Sequence, residues 1–122
     1  MTAEIRKINR DDPLLAPYQS ESVEQSQDIW AGFWNGELAL IWGLIPVSLL
    51  SDKAYIWSVG TPILRRCAKT LLRLSRLWLK EIAQEYPELL GLCDQKTAWV
   101  KHLGAEFEQT KGEYALFTIR AR

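Results

Sequence analysis

Asn35-Gly36 is flanked by IWAGFW on one side and ELALIWGLI on the other. Asparagine and glycine both accept the positive φ of a type I′ turn, whose twist matches antiparallel strands, so the spacing predicts a hairpin. Its second strand, Leu38 to Ile45, is apolar almost without interruption. A strand of that kind is buried on both faces and so occupies the middle of a layered sheet. Pro46 brings no N–H to a ladder and limits the far end.

The rest of the chain supplies partners for this hairpin. Ala3 to Asn9 alternates weakly and reads as a first strand stopping before Asp11-Asp12-Pro13. The polar stretch 14–28 admits a short helix capped by Ser20 or Ser22. KAYIWSVG, Lys53 to Gly60, reads as a further strand, and Thr61-Pro62 then has the form of a helix start, a capping hydroxyl followed by proline at the first helical position. The helix is expected to run to about Tyr86, roughly 36 Å at ~1.5 Å per residue, where Pro87 ends it. Leu64, Ala68, Leu71, Trp78 and Ile82 share one stripe, and Arg66, Lys69, Arg73, Arg76 and Lys80 another. Glu88 to Cys93 reads as a strand and 95–103 as a short helix closed by Gly104. AEFEQ, a Thr110-Lys111-Gly112 turn and EYALFTIR form a second hairpin, with Tyr114, Leu116 and Thr118 on one face and Ala115, Phe117 and Ile119 on the other. The expected fold is α/β of the α+β type: one domain over residues 1–122, a central mixed, mostly antiparallel sheet, one long helix and one or two short ones.

Composition narrows the partners. The 122 residues are 48% hydrophobic with six tryptophans, enough for one core and too few for two. Fifteen basic residues balance fifteen acidic ones, so no net charge draws the molecule to nucleic acid or an anionic membrane. The distribution is uneven: minus four over residues 1–60, plus four over 61–86, and zero over 87–122. Two cysteines and one histidine make neither a disulfide framework nor a zinc set, so no metal is expected. MTAEIRKINRDD is polar where a signal peptide needs an apolar run. Leu38 to Leu50 is shorter than the ~20 residues that span a bilayer, so no membrane span is expected.

KAYIWSVGTP, the helix to Tyr86, ELLGLC and TAWVKHLGAEFEQ together resemble the GNAT superfamily of N-acetyltransferases, which passes from a central strand into a cofactor-binding helix and ends in a hairpin. QEYPELLG and KHLGAEFEQTKGEYALFTI are similar to small GNAT-like internal virion or virion-assembly proteins of short-tailed phages. The resemblance implies a place for acetyl-CoA between the central strand and the helix, with contacts from the backbone of Val59 and Gly60 and from Arg65 and Arg66. Two arginines in a first helical turn are opposed by the helix dipole, a conflict that a bound anion removes.

Departures from the superfamily pattern bear on catalysis. GNAT enzymes place Q/R-x-x-G-x-G/A at this helix start, where glycines let backbone N–H groups approach a pyrophosphate. This chain has TPILRRCAKT, with no glycine after Gly60. Many members carry a proton-donating tyrosine four residues before the Leu-Gly glycine, and here that position is Val100. No carboxylate lies on strand 53–60, and Glu37, Asp52 and His102 are general-base candidates by residue type alone. Cys67 has no neighbouring base and reads as an inert core thiol. The tryptophans read as core or interface residues.

The expectation is therefore a domain without catalytic residues or a bound cofactor, in the host cytoplasm or on the assembling virion, that binds a phage structural or host protein. The alternative is a working acetyl-CoA-dependent N-acetyltransferase. A third reading places nucleic-acid phosphates on the basic stripe, with neither a recognised motif nor net charge to favour it.

Overall fold

The Asn35-Gly36 turn has φ values of 51° and 83°, as a type I′ turn requires. It joins β2 (Asp28–Trp34) to β3 (Glu37–Pro46), and β1 (Ala3–Ile8) pairs antiparallel along the outer side of β2. Asn35 also anchors the start of β1, since its carboxamide oxygen accepts from the Thr2 N–H at 2.9 Å. The computed structural model describes residues 2–48, 50–94, 104–111 and 114–120. The remaining strands are β4 (Lys53–Gly60), β5 (Glu88–Asp94), β6 (Glu106–Lys111) and β7 (Tyr114–Arg120). They form one seven-stranded sheet in the order β1-β2-β3-β4-β5-β7-β6. Every neighbouring pair is antiparallel except β4 and β5, which run parallel.

Both faces of β3 are covered, as its composition requires. Helix α2 (Leu64–Ile82) packs on one face, where Trp78 stands edge-on to Trp30 and Trp42 with ring centroids 5.1 and 5.6 Å away. Each such pair is worth about 0.5–1.5 kcal/mol beyond its burial. Leu40, Leu44, Ile56, Leu89, Phe117 and Ile119 complete this core. The other face is covered by a 3-10 turn, Pro13–Tyr18, and by α1 (Glu21–Gln25), which set Leu15 and Val23 against Ile29 and Ile41. Ser20 is the cap of α1, its hydroxyl accepting from the Val23 N–H at 3.3 Å.

The start of α2 differs from the expected one. Thr61 is the last rung of the β3–β4 ladder: its N–H donates to the Ala39 carbonyl at 2.9 Å and its hydroxyl to the Leu38 carbonyl at 2.7 Å. With that hydroxyl spent on the strand, the helix begins at Leu64 and has no side-chain cap. It ends at Ile82, so its 19 residues span about 28 Å. Its buried face carries Cys67, Leu71, Ser75, Trp78 and Leu79, whereas Ala68 is exposed. The final hairpin differs too, because Thr110 and Lys111 are paired strand residues, opposite Ala115 and Tyr114. Gly104 has φ 89°, the left-handed conformation expected of it. The expected helix over 95–103, with Val100 and His102, lies outside the described residues.

Candidate functional site

β4 and β5 stay paired for three rungs, Lys53 with Glu88, Ala54 with Leu89 and Tyr55 with Leu90, and then part. Glu88 pins the closed end, lying 3.4 Å from the Lys53 ammonium and 3.8 Å from Arg120. Gly91, next after the last rung, shapes the divergence. A Cβ there would come within 2.5 Å of Phe117 Cζ and 2.9 Å of the Ile56 carbonyl oxygen, so only glycine lets ring and strand approach so closely.

The parting leaves one edge of β4 without a strand partner. The Val47 N–H donates to the Lys53 carbonyl and the Thr61 N–H to Ala39, which fixes the residues that face β3 as 53, 55, 57, 59 and 61. The backbone groups of Ile56 therefore turn toward β5, and those of Ser58 and Gly60 toward the gap beyond it. Val59 bonds into β3 through its backbone and offers only its half-exposed side chain, whereas Gly60 presents backbone donor and acceptor at the open end. Arg65 and Arg66 follow on the first, uncapped turn of α2, both exposed. Gly60 lies five residues beyond Tyr55 along β4, about 17 Å of strand.

A cleft of about 390 Å³ lies at the vertex where the strands part. Ile45, Tyr55, Trp57, Leu90, Leu116 and Phe117 are among its walls, with the polar groups of Ser22 and Thr118 at its margin. Among the described residues it is lined by no charged side chain. The Trp57 indole lies flat over Gly43, where a Cβ would fall 2.6 Å from the ring, and its N–H donates to the Ser26 hydroxyl at 2.6 Å. Ser26 in turn donates to the Ser22 carbonyl at 2.6 Å, which ties α1 to the cleft wall.

The sequence candidates distribute unevenly around this site. Gly60 ends β4 and Arg65 and Arg66 stand exposed on the first turn of α2, and none of the three lines the cleft; Glu37 and Asp52 are also exposed and do not line it. Cys67 is buried and its thiol donates weakly to the Ile63 carbonyl at 3.6 Å. Burial pushes that thiol above its usual range, which suits packing and not nucleophilic attack. Sequence reading missed Tyr55, Leu90, Gly91 and Leu116. The alternation of KAYIWSVG, which puts Tyr55 and Trp57 on one face, and the glycine inside ELLGLC were the available signals. Among the described residues no group of three His, Cys, Asp or Glu could hold a metal ion, and no helix is long and apolar enough to cross a membrane.

No family model matches the sequence, and no curated protein does. Solved structures do match over nearly the whole chain. An acetyltransferase from Bacillus subtilis in complex with CoA superimposes with a TM-score of 0.70 at 8% identity, covering 99% of this chain and 100% of that one. The PaiA N-acetyltransferase from Thermoplasma acidophilum, in complex with coenzyme A, gives 0.62 at 18% identity over 98% and 99% of the two chains. A GNAT-family acetyltransferase from Streptococcus pneumoniae gives 0.63 at 14% identity over 99% and 100%. Likeness at these identities carries the fold, and nothing in it supports the resemblance to phage virion proteins. The chain has the fold of the GNAT acetyltransferases.

Proposed function

We propose that the protein binds an acyl-CoA thioester along the open edge of β4 and passes its acyl group to an acceptor in the vertex cleft. The observation that carries this reading is the parting of β4 and β5 beyond Tyr55–Leu90, which leaves strand hydrogen-bonding groups and an apolar cleft in one line. Ser58 and Gly60 would hold amide groups of an extended arm, and Arg65 and Arg66 would face its phosphates from the helix start. When bound, the thioester supplies an activated acyl carbon. The protein's part is to align the arm, fix Trp57 and Tyr55 around the reacting end, and keep bulk water from it.

The glycine-free start of α2 favours a second reading, in which the fold serves only to bind a protein partner. Isothermal titration with acetyl-CoA separates the two. Micromolar affinity is expected, and Arg65→Ala with Arg66→Ala should weaken it at least tenfold, about 1.4 kcal/mol. Absence of binding would remove the acyltransferase reading, and an unchanged affinity in the double variant would remove the arginines from the site.

A further inference from the structure

We infer that the vertex cleft is an acceptor subsite for a flat, uncharged aromatic group, above all an arylamine; the inference rests on the acyl-CoA reading. The walls give the shape. Tyr55 and Trp57 stand two residues apart on one face of β4, Leu90 lies opposite Tyr55, and Leu116 closes the β7 side. Trp57 is locked flat by Gly43 beneath it and by its bond to Ser26, so it offers a fixed ring and no spare N–H. Tyr55 and Leu116 stay 48% and 40% exposed, apolar surface at the mouth that an aromatic body would cover.

Charge gives the selectivity. An aliphatic amine enters as an ammonium ion at neutral pH, and burying it without a partner is costly. The described lining offers it no carboxylate. An arylamine is neutral at the same pH and already nucleophilic, so it loses little on entering and needs no base to strip a proton first. The step balances without another reactant: the nitrogen bonds to the acyl carbon, the carbon–sulfur bond breaks, and the proton that the nitrogen gives up leaves on sulfur as the thiol.

The test is direct titration of 4-methylaniline and 4-methylbenzylamine into the protein at neutral pH, with and without acetyl-CoA. The neutral aniline should bind at least tenfold more tightly. Leu116→Asp, which puts a carboxylate at the mouth, should shift the ratio at least tenfold toward the ammonium. Tyr55→Asp repeats the test from the opposite wall should the first variant unfold. Equal or tighter binding of the benzylamine to the unmodified protein, or an unchanged ratio in both folded variants, would overturn the inference. Acetyl-CoA binding without aniline binding sinks this inference alone. Aniline binding without acetyl-CoA binding sinks the acyltransferase reading and leaves the aromatic subsite.

Discussion

Gly43 and Gly91 are required for the same reason, since each cedes the space of a Cβ to an aromatic ring beside the cleft. They differ in what would have to move. At Gly43 the three nearest atoms all belong to the Trp57 indole, while at Gly91 they include the Ile56 backbone carbonyl oxygen. Gly91→Ala should therefore cost about 1–3 kcal/mol by overpacking, and Gly43→Ala should be partly rescued by Trp57→Leu, as a urea-denaturation double-mutant cycle would show. Buried protons give a second expectation at this scale. Burial raises the Cys67 thiol above 9.0; burial and then the charges of Glu85 and Asp28 raise the Tyr86 phenol above 10.0. Above those values the unfolded chain gives up protons that the folded chain retains, so stability falls as pH rises. Urea midpoints followed from below 9.0 to above 10.0 should decline, and decline less in Cys67→Ser with Tyr86→Phe.

Among the elements, α2 combines the most legible and least legible features of the chain. Its separation into apolar and basic faces is written in the sequence, because a 3.6-residue period is a local property. Its start departs from the local pattern because Thr61 serves the β3–β4 ladder, a partner 22 residues away that no local rule reveals. The result is an uncapped first turn holding two arginines against the dipole. Arg65→Glu should stabilise the ligand-free protein by about 0.3–1 kcal/mol and abolish the acetyl-CoA-dependent rise in melting temperature. Both outcomes can be read in one thermal-shift experiment. A stabilised variant that still responds to acetyl-CoA would place the phosphates elsewhere.

At the scale of the molecule, two half-sheets meet through three parallel rungs and share the α2 face as a common floor. Such a junction leaves strand amides open in the middle of a sheet, where they are usually protected. Hydrogen exchange at Ser58 and Gly60 should be fast in the free protein and slow by at least tenfold with acetyl-CoA, while exchange at Val59 changes little. Slow exchange at all three positions without ligand would mean that the open edge is covered.

What the sequence determined by itself was everything fixed by near neighbours. The Asn35-Gly36 hairpin, the doubly buried β3 and the amphipathic α2 all follow from turn chemistry and periodicity. Arg65 and Arg66 were legible as an unresolved charge at a helix start. Only the tertiary structure decided where β4 and β5 part, and hence that Gly60 faces the gap while Val59 does not. It alone brought Tyr55, Leu90 and Leu116, from three strands, to one cleft. Strand pairing joins residues by register and not by sequence distance, so the site forms from contacts that no single segment encodes.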